Sequence, residues 1–403
     1  MHTDFSPETL DFIRRHRADD VHALALQATR REGIDFPSAL QQIAGWQAAR
    51  RKLPRWSETE GIVYPPHLSM EQCSSEATAL YKAEVLGTGE SMADLTGGFG
   101  VDCSYLARNF RHADYVERNA ELCALAAHNF PLLGCAHVEV HHAGAEDYLQ
   151  GMAAVDCLFL DPARRDDQGG RTVAIADCTP DVASLLPLLR QKARRVLVKL
   201  SPMLDISLAM RDLPGVQEVH VVSVGGECKE LLFLLGREMA GEPTFHCVNL
   251  AAGTQRFSFT LSEERHAACP FASSPRRFLY EPNASLLKAG AFRSPATRLG
   301  LEKLHVSSHL YTSDTFVPDF PGRIFIVEEV CTFGKKELKS LTSALERANL
   351  TVRNFPATVA ELRKRLKLRE GGDTYLFATT LAEGQKVIVK CKKAPNSSIQ
   401  TDR

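Results

Sequence analysis

Short apolar segments alternate with helical patterns between Ser91 and Glu238. The apolar segments have the length of strands, and the segments between them repeat apolar residues three and four positions apart, as helices do. Alternation of this kind predicts an α/β domain with a Rossmann-like parallel sheet, covered by helices on both faces. The seven predicted strands, of which the last two follow each other closely, are Met92–Thr96, Asp114–Glu117, Val138–His141, Asp156–Asp161, Val196–Leu200, Val216–Val224 and Leu231–Leu235.

Helical patterns also precede the sheet. Three segments repeat apolar residues at three- and four-residue spacing, so we expect a small helical region that packs against the sheet domain or closes over it. These segments are Thr9–Ile13, Val21–Arg31 and Ala39–Arg51.

The rest of the chain divides by its turn residues. Paired prolines within Gly61–Met70 predict a linker, after which Ser74 or Ser75 is a suitable N-cap for a helix. A mixed segment follows the sheet, and the last module has the pattern strand, helix, strand, helix and two strands. We therefore expect a helical N-terminal domain (1–70), a sheet domain (71–240), two α+β modules (241–322 and 323–395) and a tail (396–403).

Composition limits the class of protein. The 403 residues are 44% hydrophobic and 24% charged, which is ordinary for a soluble protein of two or three domains. No apolar stretch approaches the roughly 18 residues of a membrane span, and the N-terminus lacks a signal pattern, so we expect a cytoplasmic protein. The 11 cysteines include no C-x-x-C pair, which favours reduced thiols and predicts neither a metal site nor disulfides.

A glycine-rich turn follows the first predicted strand. It runs from Met92 to Gly100, and a helical stretch, Val101 to Phe110, continues from it. Glycine lets the backbone turn tightly and approach a ligand, and the N–H groups at the helix start face that ligand. A dinucleotide fingerprint would need a third glycine where Cys103 stands, which argues against NAD.

Polar residues stand where the other strands end. Glu117 ends the second strand, where a carboxylate can accept hydrogen bonds from both hydroxyls of a ribose, and Asp161-Pro162-Ala163-Arg164 ends the fourth. Ligands of such sheets bind at the carboxyl ends of the strands. Together with the glycine turn, these residues suit S-adenosylmethionine.

The chain resembles class I S-adenosylmethionine-dependent methyltransferases, specifically the bacterial family with a THUMP-like domain at the C-terminus. The resemblance covers most of the chain and implies ferredoxin-like and THUMP-like folds for the two C-terminal modules. It is carried by the glycine turn and by Ser74–Lys82, Asp161–Arg164, Lys199–Asp205, Phe278–Asn283 and Arg353–Pro356.

Candidate cofactor residues cluster at the strand ends. The glycine turn would hold the methionine part of the cofactor, Glu117 the ribose, and Arg118 with the loop at Ala145 the adenine. Stabilisation of a helix dipole is an equal alternative for Asp102, and helix capping is the lesser alternative for Ala145 and Glu146. The full predicted set is Asp94, Thr96, Gly97, Gly98, Gly100, Asp102, Glu117, Arg118, Ala145, Glu146 and Asp161.

Candidate catalytic residues are Asp161, Pro162 and Arg164. Amino-methylating enzymes carry Asp/Asn-Pro-Pro-aromatic at this place. In this chain Ala163 replaces the second proline and Arg164 replaces the aromatic residue. The difference counts against N-methylation of a base that stacks on that aromatic ring. Arg164 and Arg165 are candidates for pairing with phosphate or stacking on a base. Cys178 is a weak candidate for the nucleophile of a pyrimidine C5 methyltransferase.

The charge distribution points to a polyanionic partner. From Cys331 to Arg403 there are 15 Lys and Arg against 7 Asp and Glu, a balance of +8, whereas the remainder has 33 against 42, a balance of −9. The alternative is that these basic residues form an ordinary solvent-exposed surface that binds no partner. The predicted substrate contacts are Lys199, Ser201 and Asp205 near the sheet and Arg363, Arg365 and Lys367 in the last module.

The sequence thus predicts a methyltransferase acting on structured RNA, either tRNA or rRNA. A methyltransferase of protein or small molecules, and a non-catalytic RNA-binding protein that senses S-adenosylmethionine, are the two alternatives. Intact Gly97, Glu117 and Asp161 count against loss of catalysis. The target atom and the oligomeric state stay open.

Overall fold

A computed structural model describes residues 5–26, 33–164, 175–238, 241–251, 253–343 and 345–395, apart from the side chains of Arg164 and Ala176. The chain forms two compact units. The first comprises Met1–Val219 and Glu230–Gly241, and the second comprises His220–Lys229 and Glu242–Arg403. None of the described helices is both long and apolar enough to cross a membrane.

The first unit begins with helices, as the apolar spacing predicts. Ser6 caps the first helix through a hydrogen bond from the N–H of Thr9, and Ser75 caps the sixth through the N–H of Thr78. Part of the predicted segment Val21–Arg31 lies outside the described residues. The helices are α1 (Pro7–His16), α2 (Val21–Leu26), α3 (Phe36–Lys52), α4 (Pro54–Glu58), α5 (His67–Gln72) and α6 (Glu76–Leu86).

One local prediction in this unit is wrong, and another has a boundary that differs by one residue. The predicted linker Gly61–Met70 contains the start of α5, because proline does not prevent a helix that begins after it, and Pro66 stands at the N-cap. The helical stretch predicted for Val101–Phe110 is confirmed up to Asn109, as an α-helix to Leu106 and a 3₁₀ turn from Ala107 to Asn109, whereas Phe110 already belongs to the next strand. The apolar residues of this stretch are buried in both elements, so the pattern alone gave no boundary.

All seven predicted strands form one sheet. The elements here are β1 (Gly89–Asp94), α7 (Val101–Leu106), β2 (Phe110–Glu117), α8 (Ala120–Leu132), β3 (Val138–His142), α9 (Ala145–Gly151), β4 (Val155–Leu160), β5 (Ala163–Arg164), β6 (Cys178–Thr179), α10 (Val182–Lys192), β7 (Ala193–Leu200), α11 (Ile206–Asp212), β8 (Val216–Val224) and β9 (Glu227–Gly236). The strands β5 and β6 in this part of the chain form a separate two-stranded sheet.

The seven predicted strands lie in the order β8-β9-β7-β4-β1-β2-β3 within a sheet of nine described strands. The strands from β7 to β3 pair in parallel and β9 pairs antiparallel to β7. β4 and the middle of β7 are buried, as expected for central parallel strands covered on both faces. Because parallel strands end at one edge, the sheet brings the ends of β1, β2 and β4 together there.

The second unit holds the α+β modules. Its elements are β10 (Thr244–Leu250), β11 (Gln255–Thr260), α12 (Leu261–His266), β12 (Phe278–Pro282), α13 (Ala284–Ala289), α14 (Ser294–Leu299), β13 (Glu302–Lys303), β14 (Tyr311–Ser313), β15 (Gly322–Thr332), α15 (Lys335–Thr342), β16 (Asn349–Arg353), α16 (Val359–Leu366), β17 (Thr374–Thr380) and β18 (Lys386–Lys393).

One seven-stranded sheet, in the order β13-β14-β12-β15-β18-β17-β16, runs through both modules. The predicted order of strands and helices in the last module is confirmed. The tip of the β8–β9 hairpin also belongs to the second unit. Gly225 and Gly226 there have φ angles of 60° and 87°, which glycine adopts without strain, as expected for a tight hairpin turn.

Candidate functional site

The glycine turn between β1 and α7 is fixed by backbone hydrogen bonds. The N–H of Leu95 donates to the carbonyl of Phe159 at 3.0 Å, and that of Gly97 donates to the carbonyl of Val116 at 2.9 Å. These two bonds tie the turn to the ends of β4 and β2. Gly98 and Gly100 have φ angles of +54° and +86°, which side chains other than glycine rarely adopt.

Gly97 has no room for a side chain. A Cβ atom built on it would lie 2.2 Å from the ring of Tyr115, which is fully buried. We expect Gly97→Ala to displace the turn and to lower cofactor affinity at least about tenfold, because small misplacements at a site are amplified in function. Gly144→Ala is the matched control: it lines the same cavity, its φ is −71°, and its Cβ would meet only Asp147 Oδ2, at 3.5 Å.

Isothermal titration of the two variants with S-adenosylmethionine separates these cases. Equal affinity in Gly97→Ala and the wild type would contradict the role given to the turn. If both variants lose affinity for S-adenosylmethionine, substitutions anywhere in the cavity wall weaken binding and the effect is not specific to Gly97.

Glu117 is held at the edge of the sheet by two backbone groups. The N–H of Gly98 donates to Oε2 at 2.9 Å and the N–H of Asn119 donates to Oε1 at 2.8 Å. Asn119 in turn caps α8. The carboxylate is therefore oriented before any ligand binds, and each oxygen keeps a lone pair for a further donor.

A cavity of about 400 Å³ opens at this edge. All eleven residues predicted to bind the cofactor line it, from Asp94 in β1 to Asp161 after β4. The sequence did not predict that α5 and the turn after it line the cavity, because the first part of this segment was interpreted as a linker. The additional lining residues from there are Ser69, Gln72, Cys73 and Ser74.

Asp161 is positioned by two neighbours. Its N–H donates to Thr96 Oγ1 at 2.6 Å, and its carboxylate oxygen Oδ2 accepts a hydrogen bond from the ammonium of Lys199. Burial lowers the pKa of Lys199, but the surrounding carboxylates, foremost Asp161, outweigh burial and raise this pKa above its ordinary value. Lys199 is thus a cation paired with Asp161. It is not among the described residues that line the cavity.

A buried charge cluster lies behind the cavity wall. Lys82 is 0% exposed, and its ammonium contacts the carboxylate of Glu230 at 2.7 and 2.9 Å and Asp102 Oδ1 at 3.1 Å. Ser74 donates to Asp102 Oδ2 at 2.7 Å. Lys82 is therefore the centre of this cluster.

Asp94 is buried at the end of β1. Its Oδ1 accepts a hydrogen bond from the N–H of Thr96 at 3.0 Å, whereas its Oδ2 has no partner among the described residues. Burial raises the pKa of Asp94 well above its ordinary value. Asp94 is among the residues that line the cavity, and a buried oxygen without a partner is costly unless a bound molecule completes its hydrogen bonding.

The other predicted site residues lie elsewhere. Ser201 and Asp205 are not among the described residues that line the cavity, and Asp205 caps α11 by accepting from the N–H of Leu208. Pro162 is buried beside the cavity-lining Ala163. The side chain of Arg164 and the whole of Arg165 lie outside the described part of the chain.

The basic residues of the last module have mixed surroundings. Arg363 pairs with Glu370 at 2.9 Å, and the guanidinium of Arg365 lies over the ring of Phe333, 4.1 Å from its centroid. Lys367 is exposed at the end of α16. A stacked guanidinium and an exposed ammonium are both available to a ligand, whereas Arg363 is already paired.

Comparisons with known proteins agree with this architecture. Residues 278–321 match the model of a ferredoxin-like domain, and residues 322–393 match a model described as THUMP domain-like. The crystal structure of a putative methyltransferase from Porphyromonas gingivalis W83 is 37% identical, with 97% of this chain and 100% of that chain covered and a TM-score of 0.87.

A further solved structure, an rRNA methylase from Streptococcus thermophilus, is 13% identical over 40% of this chain and 93% of its own, with a TM-score of 0.30. None of the curated proteins matches the chain. Identity of 37% over nearly the full length of both chains, together with the two C-terminal domain matches, shows the family. The chain therefore belongs to the bacterial methyltransferase family that carries a THUMP-like domain at its C-terminus.

Proposed function

We propose that the protein transfers a methyl group from S-adenosylmethionine to a nucleotide of structured RNA. The observation that carries the proposal is the cavity at the sheet edge, where the glycine turn, the oriented carboxylate of Glu117 and the paired carboxylate of Asp161 meet. Its volume of about 400 Å³ lies in the range of small-molecule sites.

The residues present fit this cofactor. At Gly97 and Gly100 the backbone packs so closely on Tyr115 and Phe130 that only glycine fits, which keeps the turn in place beside the cavity. Glu117 offers two oxygens to the ribose hydroxyls, and Asp94 Oδ2 has no partner among the described residues. Arg118, Ala145 and Glu146 line the part of the cavity assigned to adenine. When bound, S-adenosylmethionine supplies an electrophilic methyl group.

The contribution of the protein is mainly positioning. Asp161 follows β4 at the cavity, and Lys199 occupies its Oδ2, which leaves Oδ1 as the acceptor that can orient the attacking group. Holding two reactants in line lowers the barrier without a strong acid or base. Asp161 is therefore the residue we assign to orienting the nucleophile.

The RNA assignment rests on the second unit. The +8 balance from Cys331 to Arg403 provides the positive potential that attracts phosphates. Lys367 is exposed and Arg365 presents a stacked guanidinium, which suits a base as well as a phosphate. The match of residues 322–393 to a THUMP domain-like model supports the same class of partner.

Transfer of labelled methyl from S-adenosylmethionine to unmodified total RNA tests the proposal, with DNA and protein pools in parallel. We expect label in an RNA band from the wild type and none from Asp161→Ala. Label in the protein pool alone, or in no macromolecular pool despite cofactor binding, would overturn the RNA assignment.

A further inference from the structure

Two of the family's characteristic segments, Phe278–Asn283 and Arg353–Pro356, meet in the second unit around one buried carboxylate. Glu281 is 5% exposed. Its Oε1 accepts from Arg353 Nη2 at 3.2 Å, and its Oε2 accepts from Arg323 Nε at 2.8 Å. Two guanidinium groups thus share a single carboxylate, which leaves one positive charge uncompensated. Neither segment takes part in the cofactor cavity.

Three buried nitrogen atoms at this place have no hydrogen-bond partner among the described residues: Asn283 Nδ2, Arg353 Nε and His309 Nδ1. The first two are donors, and the imidazole nitrogen of His309 is a donor in one of its two tautomers. The other side of the Asn283 amide is fully used, because its oxygen accepts from Leu286 N–H at 3.1 Å and from the Ser285 hydroxyl at 2.6 Å. Asn283 is only 9% exposed, so its amide nitrogen is shielded from water. Buried donors of this kind cost stability unless a ligand completes them.

The three nitrogen atoms lie in one region of the fold. β14 begins two residues after His309, and its Tyr311 pairs with Tyr280 in β12. His309 therefore lies at the end of β12 where Glu281 and Asn283 stand. Burial, with the positive charges of Lys303 and Arg353, lowers the pKa of His309 to about 4, which is consistent with this proximity.

The backbone around the donors is held in an uncommon conformation. His309 and Asn354 have φ angles of 52° and 51°, rare for residues other than glycine. The Asn354 side chain contacts His305 Nδ1 at 2.9 Å, and the backbone carbonyl of Asn354 accepts from the Thr380 hydroxyl at 2.6 Å. Residues fixed in such conformations cluster at ligand sites.

We propose that Asn283, His309 and Arg353, with Arg323 beside them, form a binding site for a phosphate group. An oxyanion accepts several N–H bonds at once and compensates the excess guanidinium charge, whereas a cation or a neutral donor would do neither. Arg323 and Arg353 are 50% and 30% exposed, so the group is open to solvent on their side. That the phosphate belongs to RNA rests on the proposed function.

Titration of the full-length protein with inorganic phosphate, followed by calorimetry, tests the site without RNA or cofactor, with acetate at equal ionic strength as the reference. Asn283→Asp keeps the N-cap, since Asp caps as well as Asn, but replaces the free donor by an acceptor. We expect saturable binding that weakens at least tenfold in Asn283→Asp and stays unchanged in Ser273→Asp, which adds the same charge at an exposed position of the same unit.

Arg353→Lys provides a second variant, because it keeps the charge beside Glu281 and removes Nε, and its phosphate affinity should also fall. If Asn283→Asp fails to fold, the phosphate affinity of Arg353→Lys tests the site in its place. Absence of saturable phosphate binding to the wild type, or unchanged affinity in both variants, would overturn the site. If phosphate affinity falls but affinity for total RNA does not, the phosphate belongs to a small ligand and the RNA source is wrong.

Discussion

Lys82→Met should destabilise the first unit by about 3–5 kcal/mol, since removing one partner of a buried ion pair leaves uncompensated charge in the interior. The side chain of Lys82 is 0% exposed and those of Glu230 and Asp102 are 3% and 10% exposed. Met fills a similar volume, so the loss reports charge and not a cavity. Both tryptophans, Trp46 and Trp56, belong to the first unit, and denaturant titration followed by their fluorescence therefore measures this unit alone.

The loss of stability caused by Lys82→Met should depend on pH in a defined direction. Burial raises the pKa of Glu230, and Lys82 opposes that rise. Without Lys82 the folded-state pKa rises further above the unfolded value of about 4.3. The folded variant then binds protons more readily than the unfolded chain, so the destabilisation is small near that value and grows as pH rises through the folded pKa.

Two further variants control this experiment. Glu230→Gln in the Lys82→Met background removes one of the two stranded carboxylates and should recover part of the stability at pH 8. Lys229→Met deletes the neighbouring lysine, whose pair with Glu227 is exposed, and should leave the tryptophan transition unchanged. A small, pH-independent effect of Lys82→Met would show that the cluster does not stabilise the fold through its charges.

This cluster marks the limit of what the sequence could predict. The glycine turn and Glu117 were predictable because strand, turn and helix follow one another within about two dozen residues, a span in which turn chemistry is local. Lys82 and Glu230 are 148 residues apart. Their contact depends on how β9 inserts beside β7, and a lysine in a helix is normally exposed, so nothing in the local pattern indicates that this one is buried.

Some residues around the cavity could be predicted from the sequence and others could not. The strand ends brought the eleven predicted cofactor residues to one cavity, because all parallel strands end at one edge. Ser69 and Gln72 come from α5, whose position on the cavity depends on packing between helices. Lys199 was predicted as a substrate contact from its place at a strand end, and only the folded chain shows its pairing with Asp161.

Asp161→Asn should lower the rate of methyl transfer by about 10²-fold or more, since the proposed role of Oδ1 is to orient the attacking group as a charged acceptor and the amide carries no charge. The fold should tolerate the change, because the backbone N–H that donates to Thr96 at 2.6 Å is retained. Binding of S-adenosylmethionine, measured by calorimetry, and the tryptophan-monitored transition serve as controls. An unchanged rate would remove Asp161 from the mechanism.

Lys199→Met separates the two roles open to this lysine. If Lys199 acts by holding Asp161, transfer falls in the single variant, and the same substitution in the Asp161→Asn background has little further effect, because residues that act as a unit are not additive. If Lys199 contacts the substrate on its own, the two losses multiply and Lys199→Met raises KM for RNA. Single-turnover rates of the four proteins at saturating cofactor distinguish these outcomes, and the ammonium bound to Asp161 Oδ2 favours the first.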